Sequence, residues 1–265
     1  YVGVPPRWVQ YIYERYGIYT VINHPCARYG YTLDGAWIPN VDYADVHAYV
    51  STSFAPLSER ATMQWDAAHY HLWHSQHLAS LRVGKPVVRG EAGLDATNRQ
   101  EEDALRLDRD AAGVWLHNYL WSGLDAGGLY ELYWWNSHIW RDGIDHRREY
   151  AAFRKCLEDV PRHKGGFVDW GGTVSNGALR VVGQKHVAAG WLHLWVQNRQ
   201  HTWKNVVDGV AIAPATGEIV VPGFRPGATY TLQRWNTREP ATPIASTELL
   251  TADPSGNLRV VVSSL

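Results

Sequence analysis

The sequence predicts an α/β protein in two parts, a (β/α) barrel, complete or abridged, over residues 1–170 and a small antiparallel β-sandwich over 171–265. Three observations lead there. Helix-period and strand-like segments alternate as far as about Val160, the pattern of a parallel sheet covered by helices. Beyond Asp169 helical periodicity stops, and short strands recur between turn signals. Gly171, Gly172 and Gly177 mark the change of texture as a linker.

In the first part, Pro6 to Tyr16 begins with proline in a first turn and ends at Gly17, with Trp8, Ile12 and Tyr16 recurring on one face, so it reads as a helix. Ile18 to Ile22 reads as a strand running into Asn23 and His24. A second strand covers Asp42 to Tyr49, and a long helix follows from about Glu59 to Leu81. Pro86 to Glu91 reads as a strand because Val87 and Val88 are β-branched. A helix over Gln100 to Trp121, a strand over Gly128–Trp135 and a helix from about His146 to Leu157 complete the alternation. Four strands are legible here, whereas closing such a barrel takes eight. In the second part the strands are Leu179–Val182, Trp191–Gln197, Glu218–Val221, Thr229–Trp235 and Leu258–Val262. Turns at Pro222-Gly223, Pro226-Gly227 and Ser255-Gly256-Asn257 separate them. Leu192, Leu194 and Val196 share one strand face, with His193, Trp195 and Gln197 on the other, so one face is expected to be buried and one wet. Residues 172–265 are accordingly expected to fold alone and to brace the barrel.

The chain of 265 residues has 25 Lys and Arg against 26 Asp and Glu, and no basic run long enough to track a phosphate backbone, which excludes nucleic acid as the expected partner. No apolar stretch approaches the roughly 20 residues of a membrane helix, so no membrane partner is expected. Fourteen Trp and fifteen Tyr stand against four Phe. Rings with a polar handle suit a wet carbohydrate cleft, whose sugars present flat C–H faces, and they equally fill a core. Cys26 and Cys156 match no metal or redox spacing. The opening at Tyr1, without Met or a charged-then-apolar leader, leads us to expect a mature or excised segment.

The chemistry-bearing stretch is Lys85 to Gly93, Lys-Pro-Val-Val-Arg-Gly-Glu-Ala-Gly, an apolar run that meets a carboxylate, Glu91, between two glycines. Glycines there let the backbone turn and a ligand approach. A strand-terminal Glu capping the next helix, or pairing with an Arg, is the structural alternative. His47 and Tyr49 are two apart and share a strand face. Trp134 and Trp135 must point to opposite faces. His71, His74 and His77 recur at i, i+3, i+6, which on a helix spreads them around the axis and defeats convergence on one tetrahedral ion. Trp65, Ala68, Leu72 and Ala79 form the apolar stripe of that helix, leaving the histidines to solvent. No metal, phosphate-loop or nucleotide motif is found, so no metal and no cofactor is expected.

Taken in order, "YGIYTVINHP", "VDYADVHAYV", "GKPVVRGEAG" and "GGLYELYWWNSHIW" resemble the third, sixth, seventh and eighth strands of a clan A glycoside hydrolase TIM-type barrel, the group of the family 5 and family 2 enzymes. Residues 175–265 resemble the small β-domain, of the putative collagen-binding type, appended to such barrels. The resemblance implies cleavage of a β-linked poly- or oligosaccharide by a retaining double displacement with Glu91 as nucleophile. It further implies Asn23, His24, His47, Tyr49, Trp135 and His138 as substrate-binding residues, Trp135 being the sugar platform.

Retention requires two carboxyl groups about 5–5.5 Å apart. The family's acid/base is a Glu after an Asn at the fourth strand, and this chain contains no Asn-Glu pair. The passage from Pro39 to Val46 leaves no room for strands four and five. Glu131, Asp34, Asp42 and Asp45 are the internal candidates for the second carboxylate, with structural roles favoured for each. A secreted, extracellular protein is implied, and open sheet edges allow a homodimer that completes the barrel. The rival expectations are a non-catalytic carbohydrate-binding protein derived from such a barrel and a structural or adhesive module.

Overall fold

The computed structural model describes residues 23–24, 44–50, 65–80, 87–94, 109–124, 146–161 and 165–265. They fall into two compact units, one of residues 1–108 and 127–139, the other of 109–126 and 140–265.

The first unit contains a three-stranded sheet in the order β1-β2-β3, formed by β1 (Asn23–His24), β2 (Ala44–Val50) and β3 (Val87–Leu94). Both pairings are parallel. The expected strand at Pro86 to Glu91 therefore runs on for three residues past its carboxylate. Between β2 and β3 lies α1 (Ala67–Ser80). Its buried positions are Ala67, Ala68, Tyr70, His71 and Ser75, while Trp65 just before it is 44% exposed. The buried face is thus rotated from the expected stripe: His71 is fully enclosed and Trp65 is not.

The second unit is built on antiparallel sheets. β4 (Val168–Asp169), β6 (Leu179–His186) and β7 (Trp191–Asn198) pair in the order β4-β6-β7. β5 (Thr173–Val174), β8 (Gly217–Val221) and β11 (Leu258–Val262) pair as β11-β8-β5, and β9 (Thr229–Trp235) pairs with β10 (Ile244–Thr251). One apolar core joins the sheets. Leu179, Ile219, Val221, Phe224, Leu258, Val260 and Val262 are buried in it, and Leu192, Leu194 and Val196 of β7 pack against it. β11 alternates cleanly, with Leu258, Val260 and Val262 inside and Val261 62% exposed.

The opposite face of β7 is not left to water. Trp195 and Gln197 are both 4% exposed. Gln197 accepts a hydrogen bond from its register partner Arg180 at 2.7 Å. Over Trp195 lies His117, ring centroids 6.3 Å apart, from α2 (Val114–Ser122). Every residue of α2 is buried, and α3 (Arg147–Leu157) packs against it. The α2–α3 contact includes the edge-to-face pair Trp121–Phe153 at 5.3 Å.

Two local signals explain where these elements begin. The helix expected over Gln100 to Trp121 does not run through residues 110–113. Gly113 takes φ +64°, and Asp110 accepts hydrogen bonds from the Val114 and Trp115 amides, both at 2.9 Å, so a new helix starts there. The short α4 (Trp203–Val207) is capped by Thr202, whose hydroxyl accepts from the Asn205 amide. Gly171 and Gly172, expected as a linker, form the turn between β4 and β5, which are each paired in a sheet. At Gly172 a Cβ would lie 2.1 Å from the Val220 carbonyl oxygen, so only glycine fits.

Candidate active site on the parallel sheet

The parallel sheet brings together on one face five residues singled out in the sequence. β2 and β3 pair Asp45 with Val88, His47 with Glu91 and Tyr49 with Gly93, and β1 pairs Asn23 with Asp45. Register partners occupy the same face of a sheet, and so do residues two apart on one strand. Asn23, Asp45, His47, Tyr49 and Glu91 therefore hold positions on one face. His24, partner of Val46, holds a position on the other.

Glu91 shares that face because the register slips. Two steps along β2, from Asp45 to His47, match three along β3, from Val88 to Glu91. One extra residue is accommodated at Arg89–Gly90, and the alternation of β3 is inverted from there on. Without the slip Val88 and Glu91, three apart, would occupy opposite faces. Glycine at position 90 tolerates the irregular backbone such an insertion needs, and bulges of this kind re-aim a side chain next to a site.

The positions suit the chemistry of a carboxylate held among hydrogen-bonding groups. Asp45 is displaced from Glu91 by one strand and two residues, which places the two Cα atoms roughly 8 Å apart from standard strand spacing and rise. Asp45, expected like Asp34 and Asp42 in a turn or cap, lies within β2. Trp135 and His138, with the alternative acids Glu131, Asp34 and Asp42, lie outside the described residues.

Several tryptophans that the composition left open between sugar platform and core are core. Trp115, Trp121 and Trp203 are 1–2% exposed and, with Trp195, belong to the second unit. The charged groups buried there, among them Glu149 and Asp110, were not legible in the sequence. Glu149 falls on the inward face of α3 with Ala152, Phe153 and Leu157, a spacing that marks a face without saying that an acid on it is enclosed.

Neither a protein-family model, nor a curated protein, nor a solved structure matches this chain.

Proposed function

We propose that the chain is a glycoside hydrolase of the (β/α)-barrel type with an appended β-sandwich, cleaving a β-linked poly- or oligosaccharide by double displacement with Glu91 as nucleophile. The observation that supports it is the pairing of His47 with Glu91 beside a register slip, with Asn23 and Tyr49 on the same sheet face. In this reading Glu91 attacks the anomeric carbon as the glycosidic bond breaks and a second carboxyl group protonates the leaving oxygen, forming a glycosyl ester; the resulting carboxylate takes a proton from the water that releases the sugar with retained configuration. His47 and Tyr49 orient the carboxylate, and Asn23 with Trp135 holds the sugar.

Replacing Glu91 by Gln keeps the shape of the side chain and removes its ability to attack carbon. Glu91→Gln is expected to lose hydrolysis of activated aryl β-glycosides while circular dichroism and oligosaccharide binding stay as in the parent. Hydrolysis by the variant at the parent rate would remove Glu91 from the mechanism. Trp135→Ala is expected to weaken oligosaccharide binding by about 1–3 kcal/mol in calorimetry, the cost of a lost stacking platform by analogy with base–aromatic stacking. Unchanged affinity would place that ring elsewhere than under the sugar.

The absence of an Asn-Glu pair supports a second reading, a carbohydrate-binding protein that has lost its proton donor. The two part on leaving-group dependence. Without an acid, glycosides of poor leaving groups are bound and not cleaved; an enzyme with a second carboxylate cleaves them.

A further inference from the structure

The connection between β9 and β10 reaches out of its sheet to α2 and α3 through Thr237 and Arg238. Asn236 shapes the turn, accepting at Oδ1 from the Arg238 amide and donating from its own amide to the Pro243 carbonyl. Thr237 Oγ1 lies 2.8 Å from His117 Nε2 on α2. Arg238 Nη1 donates to the Ala112 carbonyl at 2.7 Å, just before α2, and to Glu149 Oε1 on α3 at 3.0 Å. One turn therefore ties the helix pair to the antiparallel sheets.

The charges beneath this turn do not balance. Asp110 and Glu149 are buried, and among the described residues Arg238, 31% exposed, pairs with Glu149 and acts on both carboxylates electrostatically; Arg148 also donates to Glu149 Oε1 at 3.3 Å, from a position 56% exposed. Glu149 Oε2 is buried without a hydrogen-bond partner among the described residues. Two enclosed carboxylates sharing one half-buried guanidinium favour keeping a proton. His117 presents the opposite demand. Asn118 Nδ2 donates to the His201 carbonyl, which leaves Asn118 Oδ1 to accept from His117 Nδ1; in the neutral imidazole that burial favours, His117 Nε2 then accepts from the Thr237 hydroxyl.

We infer that the Asn236–Arg238 turn is a proton-compensated latch, in which the carboxylates Asp110 and Glu149 take up a proton as the latch closes while His117 gives one up. The groups facing it from every packed element are Asp110 before α2, His117 on α2, His146, Arg148 and Glu149 at the start of α3, and His201 before α4. Burial pushes Asp110 up to about 6 and raises Glu149, and burial pushes His117 down to about 3 and lowers His201. The signs then follow. Raised carboxylates contribute stability that is present below their unfolded values and lost as pH rises through the folded ones. A depressed histidine contributes stability that is present above its unfolded value and lost as pH falls. Between about pH 4 and 6 the two oppose each other, and the closed latch tolerates acidification that either partner alone would not.

The test is native-state amide hydrogen exchange of the full chain, corrected for intrinsic rates and read in α2 and α3 against β11 as reference. Arg238→Ala is expected to raise helix opening at least about tenfold over β11, and Thr237→Val carries the same test at the half-exposed turn if Arg238→Ala does not fold. Glu149→Gln is expected to open its helices more as pH falls from 7 to 5, and His117→Gln to open them less. Helix protection unchanged in Arg238→Ala or Thr237→Val overturns the latch. The same pH response in Glu149→Gln and His117→Gln overturns its compensation.

Discussion

At Gly113 the backbone enters α2 with φ +64°, and a Cβ added there would lie 2.6 Å from His146 Nδ1. Gly113→Ala therefore meets both a left-handed conformation and a ring, and is expected to cost about 1–3 kcal/mol or more, read as a lower midpoint in denaturant with unchanged slope. Cys156 makes a different point about a single side chain. Burial pushes its thiol up to about 11. The thiolate is the reactive form, so at pH 8 its alkylation is expected to be about a hundredfold slower than that of an ordinary free thiol, followed by mapping of the peptide that carries it. The raised value also fixes a sign: the stability contributed by the neutral thiol is present below its unfolded value and lost as pH rises from about 9 through 11. Rapid labelling of the folded chain at Cys156 would contradict that burial. Glu91, by contrast, owes its candidate role to backbone register, and a residue three positions from Val88 shares its face only because of the extra residue at Arg89–Gly90.

Among the elements, those that carry two signals at once were legible to the residue. Thr229–Trp235 and Leu258–Val262 are rich in β-branched and aromatic residues and are bounded by Pro-Gly or Ser-Gly turns, and both occur with those limits. Ile244–Thr251 escaped because Ala245, Ser246 and Glu248 are weak strand formers; it is held by pairing with β9 rather than by a face of its own, seven of its eight residues being exposed. Trp203–Val207 escaped because one turn and a half of helix has no period to read, though Thr202 was there as a cap. His47 and Tyr49 on one face followed from strand period alone, whereas the inversion at Arg89–Gly90 has only a glycine as its trace. The wet face expected for β7 failed at Trp195 and Gln197, since alternation says which residues share a face and not what covers it. That cover has a consequence. A fragment of residues 172–265 lacks β4, α2 and α3, and uncovers Trp195 and its neighbours at about 1.5–3 kcal/mol for each large apolar side chain. It is expected to melt well below the second unit of the intact chain and to bind a hydrophobic dye. A sharp melt at the temperature of the intact chain would show that the helices contribute nothing to it.

For the whole molecule, the chemistry proposed and the stability derived belong to different units. The sheet with Glu91 lies in the first, the shared apolar core and the Arg238 turn in the second. Variants in the latch are therefore expected to change helix opening without changing which carboxylate is labelled by a substrate analogue. The most direct measurement on the central proposal is mass-spectrometric peptide mapping after incubation with 2-deoxy-2-fluoro-β-glycosides carrying a dinitrophenyl leaving group. The electronegative fluorine slows both displacements, and the activated leaving group needs no proton donor, so the reagent isolates the nucleophile from the unsettled acid. The account predicts a glycosyl ester on Glu91 in the peptide spanning Val87–Leu94, lost in Glu91→Gln. An ester on another carboxylate, or none with any of the gluco, manno, galacto and xylo reagents, would contradict it.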